Sequence, residues 1–228
     1  MAGRSSASAR LEHDQGTSFL GAVAAAATPI VVIGVTVLLF FNPLFIGFEQ
    51  DQAGVPAITG YTPEQVRSVT GSILADLIVG PPAFTAAVNG QPVLDAAERS
   101  HMVDVRNVLL PLATLFVAAT LALIAVAAVN RRSAWAWRAI ARGSGALAVA
   151  GVLIGVAVLF FFDAAFLLFH LVFFPQGNFS FDPRSQRLTQ LFPVQFWTET
   201  AIGIALVGIT LALGVTLVAR RRIARPPD

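Results

Sequence analysis

Cysteine is absent, lysine is absent and charge is scarce. Without cysteine there can be no disulfide, no thiolate metal ligand and no cysteine nucleophile. Charged residues make up 12% of the 228 positions, about half the roughly one-quarter of a soluble domain. Hydrophobic residues make up 56%, and the mean hydropathy is +0.73. That balance argues against a soluble enzyme, a nucleic-acid binder and a disordered chain. The pI near 10.3 does not point to nucleic acid. The 15 basic residues, all arginine, are distributed as membrane topology would distribute them.

What the chain has is long apolar runs. Four reach the roughly 20 residues needed to cross a bilayer. They cover 19–41, interrupted by Thr28-Pro29, then 108–129, 146–174 and 201–219. No stretch before Asn42 makes a convincing small-x-small cleavage site, and the first run is longer than a usual signal-peptide core, so it reads as a retained helix. The expected fold is all-α and integral to the membrane. A tail 1–18 leads into one four-helix membrane domain, 19–219, and a basic tail 220–228 follows. Two outer loops, 42–107 and 175–200, complete it. Ten arginines fall on the side of the termini and the middle loop, and five on the side of the two long loops. The positive-inside rule then places both termini in the cytoplasm and the long loops outside.

Loop 42–107 is too long for a simple turn. Thr62-Pro63-Glu64-Gln65 reads as an N-cap, a first-position proline and a capping-box glutamine. Val66, Val69, Ile73, Leu74 and Leu77 follow at helical spacing, and Gly80-Pro81-Pro82 ends the run. A second helix is expected from about Pro92 through Asp95 and Glu98 into the second span. Both are read as short helices on the outer membrane surface. Gly151 and Gly155, with Gly203, Gly208 and Gly214, would permit close helix packing.

Two of the three histidines stand near the outer interface, and His13 lies in the N-terminal tail. Helical spacing puts Glu98, His101 and Asp104 on one face, where a carboxylate can fix an imidazole's tautomer and raise its basicity. The other reading is a hydrated helix face. His170 lies in an almost wholly apolar stretch, as an interfacial anchor or as a group whose partner must come from protein. Asp163 is two turns before it, about 10 Å away. It is either a functional carboxylate or a protonated group bonded to a neighbouring helix. Spans two and three share a short loop, so both histidines could meet at the depth of a lipid ester and perform acid–base chemistry there. There is no G-x-S-x-G elbow. Two histidines with Asp104 or Glu98 could in principle hold zinc, but no metal ion and no cofactor is expected.

The segments containing these residues form a set. Glu98-Arg99-Ser100-His101-Met102-Val103-Asp104-Val105-Arg106 resembles an H-M-x-D-V-[RK] motif. Phe169-His170-Leu171-Val172-Phe173-Phe174 resembles F-H-x-x-F-F. Leu188-Thr189-Gln190-Leu191-Phe192-Pro193-Val194-Gln195-Phe196-Trp197 resembles L-I-x-L-F-P-x-x-F-[FW]. In this order, within four spans, they resemble the bacterial lipoprotein intramolecular transacylase family, Lit. The resemblance covers the chain beyond its N-terminal tail.

It implies a multi-pass enzyme of the bacterial cytoplasmic membrane with its site at the outer face. The reaction implied moves an acyl chain within a diacylglyceryl lipoprotein, from the glycerol ester to the α-amine of the lipidated N-terminal cysteine. His170 would be the general base, assisted by His101, with Asp104 or Glu98 orienting it. Arg106, Asn178 or backbone amides would stabilise the oxyanion. Phe166, Phe169, Phe173 and Phe174 would line a groove for acyl chains. The partners implied are the lipoprotein substrate and membrane lipid, with no nucleic acid. The chain departs from the family pattern near this site: Gln186 stands for an acidic residue, Thr189 for Ile, Phe179 for Trp and Val194 for Glu. The alternative from another class is a non-catalytic lipid-binding or assembly protein of the same fold. A proton-coupled transporter is weaker, because only Asp163 is a clear ionisable residue inside a span and no chain of such groups crosses the membrane.

Overall fold

The computed structural model describes residues 2–130 and 133–224, with side chains from Gly16 onward. Arg131, Arg132 and Arg225 lie outside the described residues, as do the side chains of Arg4, Arg10 and His13. Nine helices and one two-stranded hairpin are formed among the described residues, in the order α1 (Ala2–Phe40), α2 (Pro43–Gln52), α3 (Val55–Thr59), α4 (Pro63–Ile78), β1 (Ala87–Val88), β2 (Gln91–Pro92), α5 (Ala96–Asn130), α6 (Ala134–Phe160), α7 (Phe162–Phe173), α8 (Arg187–Leu191) and α9 (Val194–Ala224). Four helices, α1, α5, α6 and α9, are long and apolar enough to cross a membrane.

The helices outrun the apolar stretches that announce them. α1 begins at Ala2, so the segment expected as a tail continues the first span, and Thr28-Pro29 does not break it. α9 starts at Val194 and runs to Ala224, beyond 201–219 at both ends. The expectation of one helix over 146–174 is corrected. Phe161 (φ −135°, ψ 42°) separates α6 from α7. Phe160 and Phe161 are both exposed, so the run is equally apolar on either side of the break and hydropathy carries no sign of it.

The chain divides into two compact units. The first holds residues 1–36, 115–153 and 206–228, whose described part comes almost wholly from the four long helices. Its interior is made of small residues. Ala24, Ala136 and Ala139 pack with Val126, and Ala148 and Ala212 pack with Val32. Its large side chains, such as Leu121, Ile124, Leu153, Leu213 and Leu217, face outward. This inverts the soluble pattern and suits helices that pack closely in lipid. Ser144 and Thr216 share a hydroxyl–hydroxyl bond of 2.8 Å between α6 and α9. Pro29 has no N–H for the Ala25 carbonyl. That carbonyl faces Gly143 of α6, where an added Cβ would overlap it.

The second unit holds residues 37–114 and 154–205. Asn42 caps α2, its Oδ1 accepting from the amides of Leu44 and Phe45 at 3.0 Å each. α3 lies between Gly54 and Gly60, both left-handed at φ 68° and 71°. α4 carries the expected capping box between Thr62 and Gln65. It buries all five of the apolar residues expected to form its inner face. These join Ile46, Phe84, Leu94, Met102, Leu188, Leu191 and Phe196 in one core. Gln50 is fully buried within it, donating to the Leu191 carbonyl (3.0 Å) and accepting from Thr70 (3.0 Å). Asn89-Gly90, both at positive φ, turns the antiparallel hairpin β1–β2.

The contact between Gly143 and the Ala25 carbonyl is backbone against backbone and has little room to relax. Gly143→Ala should therefore lower the unfolding temperature of the detergent-solubilised chain, at a cost of about 1–3 kcal/mol. Gly214→Ala, with nothing within 4 Å of its added Cβ, should leave that temperature unchanged or slightly raised.

Candidate active site

The site is built in the second unit from the first turns of α5, the last turn of α7 and the segment that follows α7. α5 opens with a capping box absent from the expected motifs. Asp95 Oδ1 accepts from the Glu98 amide (2.8 Å), and Glu98 Oε2 accepts from the Asp95 amide (2.7 Å). The box starts α5 at Ala96 and thereby sets the phase of the helix. His101 and Asp104, three apart, then share a face.

Glu98 does not orient His101. It is 1% exposed, and its second oxygen, Oε1, accepts from the Leu188 amide at 2.7 Å. Both oxygens thus bind backbone, and the carboxylate ties α8 to the start of α5. Gln186 adds a second tie, donating to Asp95 Oδ2 at 3.1 Å. These hydrogen bonds, that from the Glu98 amide first and that from Gln186 next, hold the Asp95 carboxyl below its ordinary pKa. An acidic residue at 186 would face Asp95 with like charge. The glutamine there is a matched partner.

His170 occupies the last turn of α7. Its Nδ1 lies 2.8 Å from the Phe166 carbonyl. A carbonyl only accepts, so Nδ1 carries a proton, and the neutral tautomer with this bond has its lone pair on Nε2. The His101 and His170 rings stack with centroids 6.1 Å apart and planes inclined by 22°. Aromatic rings enclose both. Phe166, Phe179, Phe169 and Phe174 lie 4.2, 5.1, 5.4 and 5.6 Å from His170. Phe174 and Phe181 lie 4.8 and 5.5 Å from His101. The histidines are only 6% and 9% exposed, so the pair is covered by rings and does not open onto a cleft.

Asn178 reaches across from the segment after α7 and donates to Asp104 Oδ2 at 2.6 Å. Its Oδ1 and the Nδ1 of His101 are both buried without a hydrogen-bond partner among the described residues. The Asn178 side chain is nonetheless the hydrogen-bonding neighbour of the His101 ring.

The other anticipated residues are placed differently. Arg106 Nη1 donates to the carbonyls of Asp76 and Gly80, closing the C-terminal end of α4. Asp163 is exposed in the first turn of α7, at the opposite end of that helix from His170. It suits the positive helix end there. Phe173 packs on Phe169 at 4.7 Å and shows no ring contact to either histidine among the described residues. Phe181 was not anticipated. It comes from a segment with no periodic pattern, and only its proximity in space reveals it. No three His, Asp or Glu side chains among the described residues group as metal ligands.

The family model of the lipoprotein intramolecular transacylase Lit matches residues 20–197. The chain belongs to the Lit family. Family membership makes it an enzyme, an intramolecular transacylase, and the non-catalytic alternative is set aside. A solved structure of the membrane-integral Lit from Bacillus cereus is similar over 92% of this chain and 97% of that one, at 17% identity and a TM-score of 0.79. Two Bacillus cereus Lit variants, with one histidine replaced by arginine or by alanine, are also similar. Their TM-scores are 0.71 and 0.73, at 16% and 15% identity. The first covers 97% of this chain and 96% of its own, the second 92% and 95%. At such identities these likenesses establish the fold, a multi-pass membrane protein. No curated protein sequence matches the chain.

The Glu98 carboxylate is the main tie between the start of α5 and α8 in this Lit-family chain. Glu98→Ala should lower the unfolding temperature, because two amides lose their acceptor at a cost of about 1–3 kcal/mol each. Glu98→Gln keeps one acceptor oxygen and should fall between the two.

Proposed function

We propose that His170 and His101 carry the transfer of an acyl chain within a diacylglyceryl lipoprotein, from the glycerol ester to the α-amine of the lipidated cysteine. The observation that carries this reading is the stacked histidine pair, with the Nδ1 proton of His170 bound by the Phe166 carbonyl. The substrate brings its own nucleophile, so neither serine nor cysteine is required. The lone pair of Nε2 accepts the proton that the attacking amine must lose. The amine nitrogen bonds to the ester carbonyl carbon, the carbon–glycerol oxygen bond breaks, and the proton passes to that oxygen. An N-acylated, lyso-glyceryl product results. Amine and ester on one molecule, held in contact, supply much of the rate through proximity.

His101 is the second polar wall of the site, with Asp104 acting through Asn178 to position it. Entry displaces the rings of Phe174, Phe179 and Phe181. The exposed rings of Phe169 and Phe173 are suited to receiving acyl chains. Arg138, Arg142, Arg220, Arg221 and Arg222, all in the first unit, favour a cytoplasmic position for that unit and an outer-leaflet position for the histidines.

Expression in a bacterial host lacking N-acylating enzymes tests the reaction. Mass spectrometry should find N-acylated lyso-lipoprotein termini. Free amines, with the protein confirmed in the membrane, would falsify the assignment. His170→Ala and His101→Ala should each reduce N-acylation by roughly 10²–10⁴-fold without changing the unfolding temperature in proportion. The absence of cysteine makes topology directly readable. A membrane-impermeant maleimide applied to intact cells should label Gln91→Cys in the hairpin and spare Ala224→Cys at the end of α9. The reverse pattern would overturn the orientation.

A further inference from the structure

The first unit contains a feature that the acyl transfer does not use. A groove of about 910 Å³ runs along α6 and α9, and Arg138, Arg142 and Arg220 line it beside Gly145, Val149 and Leu153. Arg138 and Arg142 are one turn apart on α6, so two exposed guanidinium groups stand on one helix face. Arg142 Nε donates to the Arg138 carbonyl at 3.4 Å. Arg220 contributes from α9, where Arg222 also lies 5.7 Å from the Trp137 ring. Among the described side chains of this unit there are five arginines and no carboxylate. The cationic cluster therefore lacks a counter-charge among them. From Arg142 the wall becomes apolar and continues to Leu153, a helical rise of about 16 Å, comparable to half the roughly 30 Å hydrocarbon core. Gly145 lies in the apolar wall, where Thr216 Oγ1 of α9 would be 3.9 Å from an added Cβ.

We propose that this groove binds one anionic phospholipid of the leaflet that surrounds the first unit. The phosphate sits among Arg138, Arg142 and Arg220, and an acyl chain lies along Gly145, Val149 and Leu153. Guanidinium forks match phosphate oxygens in paired hydrogen bonds. The low-dielectric wall beneath them strengthens that attraction. The chemistry is charge complementarity at the head and apolar contact along the tail, which a phospholipid has in one molecule and free phosphate does not.

The test is native mass spectrometry of the full detergent-solubilised chain with phosphatidylglycerol or phosphatidylcholine of identical acyl chains. Phosphatidylglycerol should be retained preferentially. Each of Arg138→Gln, Arg142→Gln and Arg220→Gln should weaken it by roughly five-fold, as one surface charge does. The triple variant should abolish the preference. Leu153→Trp, which fills the groove and keeps all charges, should also reduce retention and covers the case of a triple variant that does not fold. Arg67→Gln with Arg184→Gln, in the second unit, should have no effect. Equal retention of the two lipids would overturn the proposal. So would undiminished retention in Leu153→Trp, or displacement of phosphatidylglycerol by inorganic phosphate.

Discussion

The Glu98 carboxylate joins three stretches of backbone: it accepts from Asp95 ahead of α5 and from Leu188 at α8, while its own amide closes the cap on Asp95. A buried carboxylate in an apolar core is stable only with such donors. Here the donors are amides that would otherwise be unsatisfied at helix starts. The arrangement fixes where α5 begins, and with it the direction of His101 one turn further on. It also holds α8 close, so that Leu188 and Leu191 enter the same core as the inner face of α4. The histidine pair therefore depends on a carboxylate that never touches it.

The two units solve different packing problems. In the first, small residues let backbones approach, and large apolar residues face outward. In the second, the short helices α2, α3, α4 and α8 enclose a core of ordinary soluble character, with Phe84, Leu94 and Leu191 almost wholly buried. Its polar interior groups are paired, as Gln50 is with Thr70 and Leu191. Single atoms of Glu49, Thr200, His101 and Asn178 are the exceptions among the described residues. At Glu49, burial and the neighbouring Glu199 carboxyl push the carboxyl above the usual range.

Much of the fold could be read in the sequence because the signals were local. The apolar runs are long, Thr62 and Gln65 are three apart, and the inner face of α4 has a helical period. Asn89-Gly90 is an equally local hairpin signal. The α6–α7 break could not be read, because lipid-facing phenylalanines occupy both sides of Phe161. The two histidines could be found because their motifs are short and contiguous. Their neighbours could not be assigned correctly, because proximity along a helix does not determine hydrogen-bond direction. Glu98 and Arg106 have the spacing of site residues, yet each binds backbone. Phe181 enters the site through a segment whose path only the packed structure reveals.

The tether of His170 to the Phe166 carbonyl lies within a single helix. The surroundings of His101 come instead from the segment after α7, through Phe174, Asn178 and Phe181. Displacement of that segment would dismantle the environment of one histidine and leave the tautomer of the other untouched. One ring is thus preset by its own helix, and the other depends on a segment that reaches it from outside its helix.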